Sequence, residues 1–366
     1  MTKKIKIGII GCGNISPRYF DASRRFESLE LAGCADMLLE RAQARAKEYN
    51  TQAFTVDQII AHPEIQILIN LTIPKAHGEI GLQAVNAGKS VYNEKPLAIT
   101  REQGRAMLDA AKANHVLVGG APDTFLGAGL QTCRKLLDEG VIGKPIAATA
   151  WMLSAGPEPW HPDPEFFYAP GGGPMFDMGP YYVTALVTLL GAAKRVTGST
   201  AAAYSERVIG SGARKGNKIP VQIPTHITGL IDFEGGAIGT LVTSFDSTGY
   251  DIGIHIYGTE GVMLVPDPNT FVGPVKIRRK GYKDFAEANL THGYAGEARG
   301  LGVADMAYAL QSGRAHRASG ELCYHVLDIM HAIHDASRDG KHIPMSSGGA
   351  RPAPLPTGLR DGQLDA

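Results

Sequence analysis

Apolar and polar positions follow one pattern in the first part of the chain. Short β-branched runs bounded by turn residues predict buried strands, and these runs are residues 5–10, 29–35, 66–71, 90–93 and 116–118. Segments rich in helix-forming residues lie between them and predict helices at 16–27, 38–49, 76–87 and 101–114. Strands that alternate with helices predict a parallel sheet. We therefore expect residues 1–122 to form a doubly wound α/β domain of the Rossmann type.

The pattern changes after the sequence Gly-Gly-Ala-Pro at 119–122. Strand-like segments then follow one another without helices between them, and Glu-Gly-Gly at 234–236 is a hairpin signal. We expect residues 123–366 to form an α+β domain on a large, mostly antiparallel open sheet, with a Gly/Pro-rich tail from Ser346. The predicted strands are 146–153, 196–203, 225–233, 237–244 and 252–257, and the predicted helices are 126–139, 301–311 and 321–335.

Charge and composition exclude several classes of protein. The 36 basic residues balance 36 acidic ones, whereas nucleic-acid binding requires a basic stripe. No segment approaches the roughly 20 apolar residues of a membrane span, and the N-terminal apolar run is too short for a secretory signal. The four cysteines are scattered without zinc-site spacing. We expect a cytoplasmic protein with no nucleic-acid partner, no membrane partner and no metal.

A glycine turn after the first predicted strand carries the first candidate chemistry. Gly11 and Gly13, within Gly-Ile-Ile-Gly-Cys-Gly at 8–13, would let the backbone turn tightly and approach a pyrophosphate. The helix N-terminus that follows, at Asn14 and Ile15, would present its N–H groups to that anion. Ser16 stands where Gly or Ala is usual, and its hydroxyl could cap the helix. The turn predicts a dinucleotide site.

Asp36, at the end of the second predicted strand, indicates which dinucleotide binds. Its carboxylate would accept from the adenosine ribose hydroxyls and would repel a 2′-phosphate. Met37 and Leu38 beside it are not basic. We predict NAD as the cofactor in preference to NADP; the alternative is a glycine turn without a ligand, with Asp36 as a helix cap.

Two further motifs resemble those of a known family. The first is Thr-Ile-Pro-Lys-Ala-His at 72–77, followed by Glu-Lys-Pro at 94–96, and the second is Gly-Gly-Gly-Pro-Met-Phe-Asp-Met-Gly-Pro-Tyr at 171–181. With the glycine turn, they resemble the glucose-fructose oxidoreductase, inositol dehydrogenase and rhizopine-catabolism (Gfo/Idh/MocA) family of NAD(P)-dependent sugar and cyclitol oxidoreductases. The resemblance covers nearly the whole chain.

The resemblance implies roles for the residues of the first motif. Lys95 matches the active-site lysine, which touches both nicotinamide and substrate, and Glu94 matches a residue beside the nicotinamide ribose. Thr72, Pro74 and His77 match the loop that passes the cofactor. The alternatives are that Lys95 is a solvated surface lysine and that His77 is an ordinary helix-surface histidine.

The second motif implies the other two catalytic residues, Asp177 and Tyr181. Asp177 matches the first position of the family's Asp-x-Gly-x-His motif, and Tyr181 stands where most members carry histidine. With Pro180 in the first turn of a helix, the two side chains would share one face. Alternatively, Asp177 is a helix N-cap and Tyr181 is a core aromatic.

Alcohol oxidation sends a hydride to the nicotinamide, so the protein must take the proton. Tyr181 would accept it only if its pKa, ordinarily about 10, is lowered, and a nearby Lys95 ammonium would lower it. His161 and Tyr168 lie in an aromatic loop at residues 160–168 and are candidate sugar contacts. Asp123 is a candidate acceptor for a substrate hydroxyl. That loop could equally be a proline-stiffened segment packed on the sheet.

The sequence thus predicts an NAD-dependent enzyme that oxidises a sugar hydroxyl, an aldose at C1 to its lactone in the leading hypothesis. A cyclitol (inositol) dehydrogenase, a glycosidase that uses NAD transiently and a non-catalytic NAD-binding sensor are the alternatives. Retention of both Lys95 and Asp177 argues against the sensor. An open sheet with an exposed face predicts a homodimer or homotetramer.

Overall fold

The computed structural model describes residues 4–365, and strands alternate with helices over its N-terminal part. A short 3-10 turn, Thr124–Leu126, ends this alternation. The elements before it are β1 (Ile5–Ile10), α1 (Ser16–Arg25), β2 (Leu29–Ala35), α2 (Leu39–Tyr49), β3 (Gln52–Phe54), α3 (Val56–Ala61), β4 (Ile67–Asn70), α4 (Pro74–Asn86), β5 (Ser90–Asn93), α5 (Arg101–Asn114) and β6 (Val118–Gly120).

Strands dominate the remainder of the chain. A second 3-10 turn, Glu165–Tyr168, lies in the aromatic loop. The elements are α6 (Ala128–Asp138), β7 (Pro145–Leu153), α7 (Gly173–Asp177), α8 (Gly179–Leu190), β8 (Ala193–Ala201), β9 (Glu206–Val208), β10 (Lys218–Pro220), β11 (His226–Phe233), β12 (Ile238–Ser244), β13 (Asp251–Gly258), β14 (Gly261–Val265), β15 (Val275–Arg279), β16 (Ala286–Ala288), α9 (Leu301–Ser312), α10 (Gly320–Asp339) and β17 (Ile343–Pro344).

The sheet of the N-terminal elements confirms the predicted Rossmann fold. Its six strands run in the order β3-β2-β1-β4-β5-β6, and each neighbouring pair is parallel. All four residues of β4 and of β5 are buried, as expected for strands covered on both faces. The strand order reverses between β1 and β4, and sheets of this kind bind ligands at the carboxyl ends of the strands on either side of that reversal.

The second large sheet confirms the mostly antiparallel architecture. Its nine strands run in the order β16-β15-β14-β13-β7-β12-β11-β8-β17. Among these described strands β7 and β12 pair in parallel, and the other neighbours are antiparallel. The helices α7 and α8 pack against β7, β11 and β12. β9 and β10 form a separate hairpin.

The described residues divide into two compact units whose boundary differs from the expected one at 122/123. The first unit comprises the described part of Met1–Gln131, together with Thr291–Tyr324 and the described part of Pro352–Ala366. The second comprises Thr132–Leu290 and His325–Arg351. Two C-terminal segments that the sequence assigned to the second domain therefore pack with the first, and the functional boundary stays a prediction.

Buried ion pairs join the two C-terminal segments to each other, and a hydrogen bond joins the tail to the earlier part of the first unit. Asp305 of α9 is fully buried and pairs with Arg317 at 2.5 Å and with Arg314 at 2.8 Å. Arg317 also pairs with Asp365 of the tail at 2.7 Å, and Leu355 N donates to Gln131 Oε1 at 2.7 Å. Charges buried in this way require partners, so the tail is fixed to the unit. Hydrogen-bonded pairing over widely separated positions is not visible in local sequence patterns.

Candidate functional site

The glycine turn lies at the reversal of strand order in the first sheet. Leu71, just after β4, donates its N–H to Ile10 O at 2.7 Å. Gly11 has a φ of +101°, and a Cβ there would lie 2.6 Å from Leu71 O, so both conformation and space require glycine. A Cβ at Gly13 would meet no heavy atom within 4 Å. Asn14 beside it is exposed, so the outer side of the turn has room for a ligand.

The helix α1 begins directly after this turn. Ile15, half-buried, holds its N-cap position and provides no side-chain cap. The Ser16 hydroxyl donates to Gly13 O at 2.8 Å, so it fixes the turn and does not cap the helix, contrary to the sequence expectation. An uncapped N-terminus preceded by this turn fits a pyrophosphate, which accepts from free N–H groups.

Asp36 connects the end of β2 to the glycine turn. Its Oδ2 accepts from Cys12 N at 2.8 Å and its Oδ1 accepts from Leu38 N at 3.0 Å. Each carboxylate oxygen has a further lone pair, so Asp36 can still accept from ribose hydroxyls. Met37 beside it is 89% exposed. The carboxylate is thus held at the edge of the turn, as an NAD site requires.

Two fully buried asparagines organise the ends of β4 and β5. Asn70 and Asn93 face each other in the strand register, and Asn70 Nδ2 donates to Asn93 Oδ1 at 3.1 Å. The Thr72 hydroxyl donates to Asn70 Oδ1 at 2.7 Å, and Asn93 Nδ2 donates to Leu97 O at 2.9 Å. This pair is not among the residues predicted from the sequence, where its signal is an asparagine that ends an otherwise apolar strand.

Glu94 and Lys95 directly follow β5 and are both half-buried. Tyr19 of α1, fully buried, donates its hydroxyl to Glu94 Oε1 at 2.7 Å. Lys95 N donates to Glu94 Oε2 at 2.9 Å, and Glu94 N donates to Asn70 O at 2.9 Å. The Lys95–Pro96 peptide bond is cis. The Glu-Lys-Pro segment is therefore held from several directions at the carboxyl edge of the sheet.

His77 lies beneath the cofactor loop. It is 1% exposed, whereas Thr72 and Pro74 of the same motif are half-buried and Pro74 begins α4. His77 Nδ1 lies 2.7 Å from Pro96 O and Nε2 lies 2.9 Å from Thr72 O. Burial lowers the pKa of His77, although the two carbonyls and Glu94 act in the opposite direction. The ring therefore joins two loops, a placement that differs from the helix-surface alternative.

In the second unit, Asp177 and Tyr181 lie on either side of a short break between helices. Asp177 ends α7, Met178 has φ −105° and ψ −26°, and Pro180 lies in the first turn of α8 as predicted. Met178 holds the N-cap position of α8, so Asp177 is not that cap. Asp177 is half-buried and Tyr181 is 8% exposed. Nearly helical backbone through the break keeps residues four apart on one side.

The glycines that precede this junction serve a close approach between backbones. A Cβ on Gly172 would lie 2.4 Å from Phe166 O and 2.8 Å from Phe167 O. The backbone at Gly172 therefore packs directly onto the aromatic loop, immediately before α7.

Tyr168 differs from the exposed sugar contact that the sequence predicted. It is fully buried, and its hydroxyl donates to Glu158 Oε2. Glu158 in turn pairs with Arg207 at 2.9 Å, and Arg207 also pairs with Asp246. Burial and Glu158 raise the pKa of Tyr168, so its hydroxyl stays a donor. The aromatic loop is anchored by this buried network.

His161 is half-buried among other rings of the aromatic loop. Its ring lies edge-on to Trp160, Phe166 and Phe167, with centroids 5.4, 5.5 and 5.3 Å away. Its Nδ1 accepts from Asp163 N at 3.1 Å. Trp160 is 67% exposed and Phe166 is 47% exposed. The loop therefore presents aromatic surface at positions other than Tyr168.

Asp123 also differs from the expected substrate contact. It is 1% exposed, and its Oδ2 accepts from Gly300 N at 2.9 Å and Gly302 N at 3.0 Å, at the start of α9. Burial raises the pKa of Asp123 to about 6. A carboxylate at a helix N-terminus satisfies free N–H groups and is stabilised by the helix dipole. Its contacts are those of a structural group in the first unit.

The structure thus brings the candidate residues together in two separate sets. The glycine turn, Asp36, the 72–77 loop and Glu94-Lys95 surround the carboxyl ends of β1, β4 and β5 in the first unit. Asp177, Tyr181 and the aromatic loop belong to the second unit. Within residues 4–365, no group of three or more His, Cys, Asp or Glu side chains is placed to hold a metal ion. No helix of the same range is long and apolar enough to cross a membrane.

Comparison with protein families defines the class to which the chain belongs. Residues 5–120 match the oxidoreductase family with an NAD-binding Rossmann fold, and residues 130–264 match the GFO/IDH/MocA C-terminal domain. The chain belongs to the Gfo/Idh/MocA family and is an NAD-binding oxidoreductase. Its glycine turn and Asp36 provide the geometry that this cofactor needs.

Two of the curated relatives are named as dehydrogenases of a glucoside and of a cyclitol. The chain is 30% identical to D-glucoside 3-dehydrogenase of Escherichia coli strain K12 over 260 residues, which are 66% of this chain and 70% of the enzyme. It is 25% identical to scyllo-inositol 2-dehydrogenase (NAD(+)) of Bacillus subtilis strain 168 over 273 residues, covering 72% and 75% of the two chains.

A third relative has also been solved as a structure. The chain is 27% identical over 245 residues to levoglucosan dehydrogenase of Pseudarthrobacter phenanthrenivorans, a match that spans 62% of each chain. A structure of levoglucosan dehydrogenase in complex with NADH superposes with a TM-score of 0.82 at 22% identity, over 94% of this chain and 100% of that chain. At this identity the superposition supports the fold.

Proposed function

We propose that this protein oxidises a hydroxyl of a sugar with NAD, in the leading case the anomeric hydroxyl of an aldose to give a lactone. NAD, held by the glycine turn and Asp36, would accept the hydride released when the carbon–hydrogen bond breaks, and the hydroxyl proton would pass to the protein. The observation that carries the proposal is the rigid Glu94-Lys95 segment beside the glycine turn. Tyr19 fixes the Glu94 carboxylate at 2.7 Å, so Glu94 can accept from the nicotinamide ribose while Lys95 projects from the next position.

In this proposal the ammonium of Lys95 contacts the hydroxyl that loses its proton and stabilises the developing negative charge. Tyr181 is the proposed acceptor of that proton. Asp177 orients the substrate through another hydroxyl. Trp160 and His161 are the proposed sugar contacts, in place of the buried Tyr168 and Asp123.

A second candidate reaction is the oxidation of a secondary ring hydroxyl of a glycoside. The 30% identity to D-glucoside 3-dehydrogenase supports it, and the same lysine and tyrosine would serve, because the chemistry of proton removal is unchanged. The two reactions differ in the carbon that loses hydride, so a substrate with a blocked anomeric oxygen separates them.

The test is a substrate panel followed by the absorbance of reduced nicotinamide. Free glucose, methyl glucoside, levoglucosan and myo-inositol are each offered with NAD and with NADP. Turnover of glucose but not of methyl glucoside supports oxidation at C1. Turnover of methyl glucoside and levoglucosan, in which the anomeric oxygen is blocked, supports the ring-hydroxyl reaction. A preference for inositol would favour the cyclitol alternative. Reaction with none of these sugars and polyols would overturn the proposed substrate class.

We further propose that the second unit forms a homodimer or homotetramer through its nine-stranded sheet. Leu230 of β11 is 41% exposed and Ile238 of β12 is 53% exposed. Each lies on the face of its strand opposite to the buried residues. Exposed apolar side chains on a sheet face favour association. Ile238→Lys is expected to lower the mass measured by light scattering, with Lys218→Glu on the separate hairpin as control.

A further inference from the structure

The segment that carries Lys95 is held at three nearly successive residues by buried side chains. Tyr19 donates to Glu94 at 2.7 Å, and Asn93 Nδ2 donates to Leu97 O at 2.9 Å. Between these two, the ring of His77 contacts Pro96 O at 2.7 Å. Pro96 follows Lys95 directly, so the His77 contact acts on the peptide unit next to the Lys95 backbone.

The opposite edge of the same ring contacts the cofactor loop. His77 Nε2 lies 2.9 Å from Thr72 O, and Thr72 follows Leu71, whose N–H is bonded to Ile10 at the glycine turn. His77 itself lies in the first turns of α4, which begins at Pro74. One planar, 1% exposed ring therefore spans the loop after β4 and the loop after β5.

The two carbonyl oxygens accept and do not donate, so each contact requires an N–H from the ring. A neutral imidazole donates to one carbonyl and a protonated imidazole donates to both. The protonated ring is hydrogen-bonded at both edges, and the neutral ring is hydrogen-bonded at one edge and packs against the carbonyl at the other. In both states the planar ring sets the distance between the two loops. A shift of about 1 Å at a reacting group can lower turnover about 100-fold, so the length of this connection affects catalysis.

We propose that His77 is a positioning residue that sets the place of Lys95 relative to the cofactor loop. The inference rests on the proposed function, in which Lys95 contacts the reacting hydroxyl. Nδ1 acts on Lys95 through Pro96, and Nε2 acts on the cofactor loop through Thr72. The two edges of the ring therefore have separable effects on turnover and on cofactor binding.

Two substitutions separate these effects because each retains one donor. The amide of His77→Asn reaches the Nδ1 position and keeps the bond to Pro96, whereas the amide of His77→Gln reaches the Nε2 position and keeps the bond to Thr72. We expect His77→Gln to lower kcat about 10- to 100-fold with the KM for NAD changed less than about threefold. We expect His77→Asn to raise the KM for NAD about tenfold while kcat changes less than about threefold.

The measurements are kcat and KM for NAD on the full chain, with thermal unfolding and titration of NADH fluorescence for each variant. A histidine that only fills the core would give equal losses in the two variants, and that result would overturn the proposal. His342→Gln, at an exposed position, controls for the substitution itself. If either variant fails to fold, the NADH titration and pH profile of His77→Phe replace it, and unchanged kcat there also overturns the proposal.

Lys95→Met distinguishes failure of this inference from failure of the proposed function. If Lys95→Met keeps full turnover, then Lys95 is not the reacting group and the proposed function fails. If Lys95→Met is inactive while His77→Asn and His77→Gln share one kinetic profile, the proposed function stands and the positioning role of His77 is wrong.

Discussion

The two sets of candidate residues are built in different ways. In the first unit, Glu94 and Thr72 follow the ends of buried strands, and Tyr19 and Asn70 hold them at 2.7 Å. In the second unit, Asp177 and Tyr181 flank a junction of helices, and the polar side chains of the neighbouring loop bond to one another. The proposed cofactor residues are thus fixed by the sheet, whereas the proposed substrate residues lie beside a loop with its own internal network.

This difference shows which kind of sequence argument is dependable. Residues that follow a strand in a motif lie at the carboxyl edge of the first sheet, since strand ends of a parallel sheet converge on one edge. Tyr168 and Asp123 were chosen because their chemistry suits a sugar hydroxyl. Both are buried and bonded within the protein, as buried polar groups generally must be.

The largest expected effect is on Lys95. Lys95→Met removes the proposed contact to the reacting hydroxyl, and we expect kcat to fall about 1,000-fold, at the upper end of the range for a group that stabilises developing charge. Binding of NADH, followed by fluorescence, should change only a few-fold because the glycine turn and Asp36 are intact. Lys112→Met, at an exposed lysine of α5, is the control, and equal turnover in both variants would contradict the assignment.

Two adjacent tyrosines provide the next test, in the second unit. Tyr181→Phe removes the proposed proton acceptor, and we expect kcat to fall about 100-fold. Tyr182→Phe is the control, because the buried Tyr182 hydroxyl has no hydrogen-bond partner among the described residues. Its loss should leave turnover unchanged and should not lower the melting temperature. Equal activity of the two variants would assign proton removal to another group.

Most of the Rossmann fold could be predicted because each of its elements has a local signal. The predicted helix 101–114 has the observed bounds of α5, and the five predicted strands correspond to β1, β2, β4, β5 and β6. β3 and α3 were missed. β3 has three residues and α3 has six, which is too short for a periodic pattern to emerge.

The second unit was less predictable because several of its strands are short or charged. β14 (Gly261–Val265) and β15 (Val275–Arg279), which contains two arginines and a lysine, were not identified. The tail is held by Asp365 and Arg317 across 48 residues of sequence, a pairing without a local signature. The contact of His77 with Pro96 likewise joins residues 19 positions apart. The 72–77 motif therefore identified His77 as a candidate but could not predict how its ring is oriented.

A pH-dependent effect tests whether Asp123 is a structural group. Its folded-state pKa is raised to about 6 from 3.8, so its stabilising contribution is present below about pH 4 and is lost as the pH rises through about 6. Two pKa units correspond to about 3 kcal/mol. Asp123→Asn is neutral throughout and should flatten the fall of unfolding free energy between pH 4 and pH 7, measured by urea denaturation. Parallel profiles would mean that another group titrates.

The smallest expected effect concerns the aromatic loop, where Tyr168→Phe compares a structural role with a role in binding sugar. The variant removes the donor to the buried Glu158 carboxylate, which should cost about 1.5–3 kcal/mol of unfolding free energy, the range for hydrogen bonds to charged groups. The KM for sugar should stay within about twofold, since the ring remains and its hydroxyl does not face solvent. A raised KM with unchanged stability would indicate that Tyr168 does contact the sugar. His161→Ala is the counterpart, for which the proposal expects the reverse, a raised KM with little loss of stability, because its ring lies among exposed aromatic residues.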